Sequence, residues 1–330
     1  MRALITGASG FVGSHVTDAL VKRGFEVRAI ARSNSARALI SSKNVEVVYG
    51  DLATGAGLED ACDGVNVVFH VAAMYSLERR HEQDMYKVNV GGTSRLLEVI
   101  LRTPSIDRMV YTSSTAAVGL LPNGQPADES AEITPEMALP GYKRSKVLAE
   151  RVVRKAIRNG LDAVIVNPST PIGSGDVKPT PTGKIIRDMV LGRMPAYVDT
   201  GLNWVAVDDV AEGHLLALEK GRSGERYILG NANLTFHDLL TRVAAMSNVR
   251  VPRVRLPIPL ALGAAYFDEL VFSRLAGRAP RAPIAGVKLA RHPMFYTSER
   301  AVTELGLPQT DIDIALKSAI EWFTPAPKGS

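Results

Sequence analysis

The sequence predicts an α/β fold: a doubly wound parallel sheet with a smaller, interleaved C-terminal domain. Two observations carry this. Short β-rich runs alternate with helical patterns through the first half, and after Val166 the composition turns abruptly to Pro and Gly. Strands separated by crossover-length helices pair in parallel.

The expected strands are Ala3 to Ile5, Val27 to Ala31, Val45 to Tyr49, Val65 to Phe69, Met109 to Thr112 and Ala163 to Val166. Between the first two, Val12, Val16, Ala19 and Leu20 recur at helical spacing and Gly24 closes the run, so a βαβ unit opens the chain. Pro168, Pro171, Gly173, Gly175, Pro179, Pro181 and Gly183 then read as one long loop, of the length that is usually functional. A helical run, a strand at Trp204 to Val207, a helix from Asp208 to Lys220 and a strand at Arg226 to Leu229 follow. The expected division is therefore 1–167, with a returning segment at about 204–232, for the sheet domain, and 168–203 with 233–323 for the second domain. The Pro- and Gly-rich tail 324–330 reads as disordered.

Composition narrows the function classes. An apolar content of 46% is ample for a buried core. The single cysteine, Cys62, excludes an internal disulfide and suits a reducing compartment, so a cytoplasmic location is expected. The most apolar stretch, Leu256 to Phe272, carries two prolines, Asp268 and Glu269, and is not expected to span a membrane. The net charge of +5 comes without a Lys/Arg block or interleaved aromatics, which argues against nucleic-acid binding. Arg278 to Arg281 and Arg291 form the most basic region, which leaves peripheral contact with an anionic lipid open. No His/Cys/Asp/Glu set has metal-ligand spacing, and no G-x-S-x-G elbow surrounds Ser114. His214 shares a helix face with Val210 and Leu218 and reads as packed.

Gly7, Gly10 and Gly13 sit at G-x-x-G-x-x-G spacing, between the first strand and the first helix. Such a turn lets the backbone approach a pyrophosphate at a helix N-terminus, the arrangement of a Rossmann dinucleotide site. Ser9, Phe11 and Val12 belong to the same loop. Where a carboxylate would hold the ribose hydroxyls of NAD, the second strand ends in Arg32, which can pair with a 2′-phosphate. NADP(H) is therefore preferred, with NAD(H) the alternative. Asp51 and Leu52 after the third strand, and Val71, Ala72 and Ala73 after the fourth, lie at the carboxyl edge where ligands bind.

Tyr142 and Lys146 are one helical turn apart, and the fifth strand delivers Ser114 to the same edge. A Tyr-x-x-x-Lys pair arises by chance about a third of the time in this composition, so it carries weight only in context. Here an ammonium beside the phenol is expected to lower its pKa and make it a general acid or base for a carbonyl/alcohol pair. Together with Asp51-Leu52, His70-Val71-Ala72-Ala73, Asn89-x-x-Gly92-Thr93 and Ser113-Ser114, the set resembles the extended short-chain dehydrogenase/reductase superfamily from Met1 to about Gly230. The resemblance implies catalytic roles for Ser114, Tyr142 and Lys146, and support from Asn89. It also implies nicotinamide contact near Pro168 and Ser169, and a homodimer through the helices of Asn89 and Tyr142. Tyr142 to Lys146, Asn167 to Gly173, Lys178 to Gly183 and Met194 to Asn203 closely resemble hopanoid-associated sugar epimerases. Arg32 resembles the strand-end arginine of dihydroflavonol reductases. Ala206 departs from relatives that carry His there.

A small-molecule or lipid-linked sugar is the substrate the resemblance implies. Lys178, Thr180, Thr182, Tyr197 and Asn203 are candidate contacts, since polar loop groups over a nicotinamide site fit a hydroxyl-rich ligand; each reads equally as a solvated loop residue. Tyr75 is a further candidate. Arg32 leans toward an NADPH-dependent reductase and the closest motifs toward an epimerase, two outcomes that share one hydride-transfer half-reaction. A non-catalytic nucleotide-sensing module would keep the glycine loop but lose the intact acid.

Overall fold

The computed structural model describes residues 1–40, 44–269 and 283–325. The basic run Arg278 to Arg281 and residues 326–330 of the expected tail lie outside the described residues.

Seven strands build the main sheet: β1 (Arg2–Thr6), β2 (Glu26–Ala31), β3 (Glu46–Tyr49), β4 (Val67–His70), β5 (Arg108–Thr112), β6 (Ala163–Pro168) and β10 (Arg226–Leu229). Their order is β3-β2-β1-β4-β5-β6-β10, and every pairing is parallel. Residues such as Ala3, Leu4 and Ile5 are fully buried because helices cover both faces. On one face α1 (Phe11–Lys22) and α8 (Val207–Lys220) pack Val16, Leu20, Val210 and Leu215 onto the strands. On the other, α3 (Leu58–Cys62), α5 (Thr93–Ile100) and α6 (Tyr142–Arg158) contribute Leu58, Leu96, Leu97 and Val153. Strand order reverses between β1 and β4, which opens a crevice at their carboxyl ends.

α2 (Asn34–Ile40) follows β2, and α4 (Glu82–Met85) runs into a π-helical stretch, Tyr86–Gly92, that continues as α5. The expected long Pro/Gly loop is more ordered than its composition suggests. β7 (Thr170–Ile172) lies within it, and Thr180 caps α7 (Pro181–Val190), where a proline at the first position is preorganised for a helix.

The expected strand at Trp204 to Val207 begins earlier, as β9 (Gly201–Ala206), and Val207 opens α8. β9 pairs with β7 and with β11 (Ala232–Thr235) in a three-stranded sheet, not with the main one. β8 (Ala196–Val198) pairs with β12 (Val254–Leu256). α9 (Phe236–Ser247) and α12 (Ile312–Phe323) cover Trp204 with Leu239, Leu240 and Leu316 in a separate core. α10 (Ile258–Asp268) and α11 (Ile284–Leu289) stand beside this unit and pack on each other through Ala261, Ala265 and Val287.

Candidate functional site

A cleft of about 960 Å³ runs along the carboxyl edge of the main sheet and on between the two units. Its floor at one end is the glycine loop. Gly7 has φ +79°, and a Cβ there would lie 2.7 Å from the Ala72 nitrogen. A Cβ on Gly13 would strike the Gly7 carbonyl. The loop, β4 and α1 therefore close on one another only with glycine at both positions. Gly10 caps α1 without a side chain, and no acidic residue occupies the first turn, so its N–H groups and positive potential face the cleft. This cradle fits a dinucleotide pyrophosphate.

Gly7, Ser9, Gly10, Phe11, Val12, Gly13, Arg32, Asp51, Leu52, Val71, Ala72, Ala73, Pro168 and Ser169 all line the cleft. Arg32 is exposed and makes no ion pair or hydrogen bond among the described residues. Asp51 Oδ1 accepts from the Ala53 N–H at 2.9 Å, so this carboxylate also shapes its own turn. Ser169 Oγ is buried and has no hydrogen-bond partner among the described residues, an open valence suited to a ligand group.

Ser114, Tyr142 and Lys146 converge further along. Ser114 Oγ accepts from the Ala116 N–H at 3.1 Å. Burial pushes the Tyr142 phenol above its ordinary value, and the nearby Ser114 side chain offsets this only in part. The lowering expected from Lys146 is not seen. Burial brings the Lys146 ammonium down to about 8, and its Nζ donates to the Thr112 carbonyl at 2.7 Å. The Tyr75 ring lies 4.2 Å from that of Tyr142.

Asn89 stands behind the cleft. Its amide bonds the Met74 backbone in both directions, at 2.7 and 2.9 Å, and donates to Ser145 Oγ, which donates to the Tyr142 carbonyl. The π-helical stretch carries it there; such local widenings recur at functional sites. The network continues to His70, whose proton positions follow from its partners. Thr93 Oγ1 donates to the Asn89 carbonyl, so it accepts from His70 Nε2; Nδ1 then accepts from Thr6 Oγ1, which accepts from the Ala72 N–H. Burial, with Lys146 nearby, depresses His70 to about 3, so the ring is neutral and this chain has one direction.

Sequence reasoning missed a second buried network. Glu150 accepts from Ser113 at 2.5 Å and Asn167 at 3.1 Å and pairs with Arg154 and Arg226. Asn167 also donates to the Ser114 carbonyl at 2.9 Å, which fixes the strand end that presents Ser114. Glu150 lies one turn beyond Lys146 on the same helix, a spacing that could have revealed it; Arg226, on a distant strand, left no comparable signal.

The substrate candidates divide. Tyr75, Ser114, Thr180, Thr182 and Asn203 line the cleft, whereas Lys178 and Tyr197 do not. Lys178 is exposed, and Tyr197 on β8 shares a hydrogen bond with His237. Thr180 Oγ1 donates to Asp176 and accepts from the Gly183 N–H as the cap of α7. Asn203 is buried with its amide bonded to Asn231, Asn233 and Tyr296. His214 is packed, as expected: buried, depressed to about 4 by burial and bonded to Val210 and Thr112. Burial pushes the Cys62 thiol up to about 11, which leaves it unreactive. Among the described residues no cluster of His, Cys, Asp or Glu could hold a metal ion, and no helix is long and apolar enough to cross a membrane.

The family model described as NAD dependent epimerase/dehydratase family matches residues 3–230. A dihydroflavonol 4-reductase-like protein of Synechocystis sp. is 42% identical, across 97% of this chain and 93% of the relative. Sterol demethylase protein B of Methylococcus capsulatus is 34% identical across 98% of both. The crystal structure of a nucleoside-diphosphate-sugar epimerase from Pseudomonas aeruginosa superposes with a TM-score of 0.81 at 27% identity, covering 98% of this chain and 97% of that one. With the glycine cradle and the all-parallel sheet around it, these similarities establish that the chain belongs to the NAD dependent epimerase/dehydratase family, within the extended short-chain dehydrogenases/reductases.

Proposed function

We propose that the protein is an NAD(P)-dependent oxidoreductase that transfers hydride at a carbinol or ketone, with Tyr142 as the proton-transferring group. The observation that carries this is that Ser114, Tyr142 and Lys146 line the same cleft as the glycine cradle. The nicotinamide, when bound, supplies or accepts the hydride. Ser114, which lines the cleft with Tyr142, holds the substrate oxygen. Tyr142, protonated at neutral pH because burial favours the phenol, gives its proton to the developing alkoxide. Lys146 takes the role the resemblance implies, a cation beside the phenol and a contact to the cofactor ribose; Asn89 holds the backbone beside Tyr142.

Reduction with release of oxidised cofactor each turnover is the first reading. It is supported by the two full-length relatives named for reductase and sterol-demethylase activity, and by Arg32, which favours NADPH. The second reading, epimerisation of a hopanoid-associated sugar, is supported by the motif resemblance and by the similarity to a sugar-nucleotide epimerase. We assign 1–167 with about 204–232 to cofactor binding and 168–203 with 233–323 to the substrate. A cytoplasmic homodimer belongs to the same proposal.

Tyr142→Phe is expected to lower turnover by about 10²-fold or more while cofactor affinity, read by fluorescence titration, stays within about twofold. Full activity in that variant overturns the mechanism. Mass spectrometry of the cofactor retained on purification separates the two outcomes: NAD held through turnover supports epimerisation, exchangeable NADPH supports reduction.

A further inference from the structure

Past Tyr142 the cleft continues between Met74, Leu139, Leu202, Leu289 and Met294, with the Tyr75 ring beside the phenol. Three polar groups that could greet a hydroxyl-rich ligand there are already engaged. Asn203 is saturated by its neighbours, Thr180 caps a helix, and the Tyr296 hydroxyl donates to the Thr115 carbonyl at 3.0 Å. The charged lining residues of this half balance: Arg79, Lys143 and Lys288 against Glu78, Glu82 and Glu269. Arg79 and Lys288 are exposed at the rim. A diphosphate needs convergent positive charge, and among the described residues this wall supplies no net excess. A sugar hydroxyl set against Met74, Leu139, Leu202, Leu289 or Met294 would meet thioether or aliphatic carbon, while Met74 and Met294 can adapt to an irregular apolar shape.

We propose that the substrate is a bulky, predominantly apolar alcohol or ketone with one reactive oxygen, rather than a sugar nucleotide. This rests on the hydride-transfer reading for its chemistry. The ketone carbon accepts hydride from the reduced nicotinamide, its oxygen takes the Tyr142 proton, and alcohol and oxidised nicotinamide leave. The phenolate is reprotonated from solvent.

The test reads binding, so that it fails separately from the chemistry. Equilibrium dialysis of the full chain loaded with NADP⁺, which cannot reduce a ketone, against dihydrotestosterone, a fused-ring ketone, and against UDP-glucose is expected to give affinity at least about tenfold higher for the steroid. Leu289→Arg, and independently the milder Met74→Gln, should weaken steroid binding by about tenfold and about threefold while NADPH binding stays within about twofold. Tighter binding of UDP-glucose, binding of neither probe, or indifference of steroid binding to both variants overturns the proposal. NADPH consumption with cyclohexanone, a minimal ketone, tests the hydride-transfer reading alone.

Discussion

Arg32 stands exposed at the carboxyl end of β2, facing the cleft with no partner among the described residues. A guanidinium so placed recognises a 2′-phosphate, and an aspartate would instead accept from ribose hydroxyls. Arg32→Asp should raise KM for NADPH by about tenfold or more and lower that for NADH, measured with a common substrate. Lys146 makes a different prediction. Only 2% exposed, it has a folded value of about 8 against 10.5 for an ordinary lysine. Below about pH 8 both folded and unfolded chains hold the proton, and the fold bears the full cost of burying the ammonium. Between 8 and 10.5 the unfolded chain binds more protons, so stability rises with pH by up to about 3 kcal/mol. Chemical denaturation across that window should show wild type gaining on Lys146→Met by this amount. Ser114, Tyr142 and Lys146 were legible as a set because spacing and strand-end position combine. Thr180 and Asn203 line the cleft, but their internal bonds were not legible, because a sequence displays a polar side chain and not the groups that will engage it.

Among elements, the strands were legible because burial on both faces writes continuous apolar runs. The π-helical stretch Tyr86–Gly92 was not, since one widened turn leaves no periodic signature. β7 was hidden for a related reason: three residues beside prolines look like loop until β9 arrives to pair with them. The joint between α6 and the edge strand β10 depends on Arg226 and Glu150, each with a side chain only 5% exposed, and on the Arg226 Nε bond to the Glu129 carbonyl at 2.7 Å. Removing one partner of a buried pair leaves the other charge poorly compensated. Arg226→Met should lower the unfolding free energy by about 3 kcal/mol. Glu132→Gln, which touches the same guanidinium from a side chain 72% exposed, should cost less than about 1 kcal/mol. Denaturant titration of the two variants distinguishes them.

At the scale of the whole molecule, two buried neutral histidines set an acid limit. His70 and His214 have folded values of about 3 and about 4, against 6.5 in an exposed chain. Below 6.5 the unfolded chain takes up protons that the native state refuses, so stability falls with pH until the folded values are reached. Between pH 6.5 and 4 each contributes a loss of up to about 3 kcal/mol. A His70→Gln/His214→Gln double variant should show a shallower decline of the urea midpoint over that window. Steep loss unchanged by the substitutions would assign the acid limit to carboxylates instead.

The sheet order also sets a timetable. β10 completes the sheet at β6, yet everything from Ser169 to Glu225 is synthesised between them. On the ribosome, six strands and α6 emerge while the carboxylate of Glu150 still awaits the guanidinium of Arg226, and chains begin folding from the N-terminal side. The glycine cradle, Gly7 to Ala72, precedes both partners of that pair in the chain, whereas the helix carrying Tyr142 and Lys146 gains its buried charge partner only with the last strand of the main sheet.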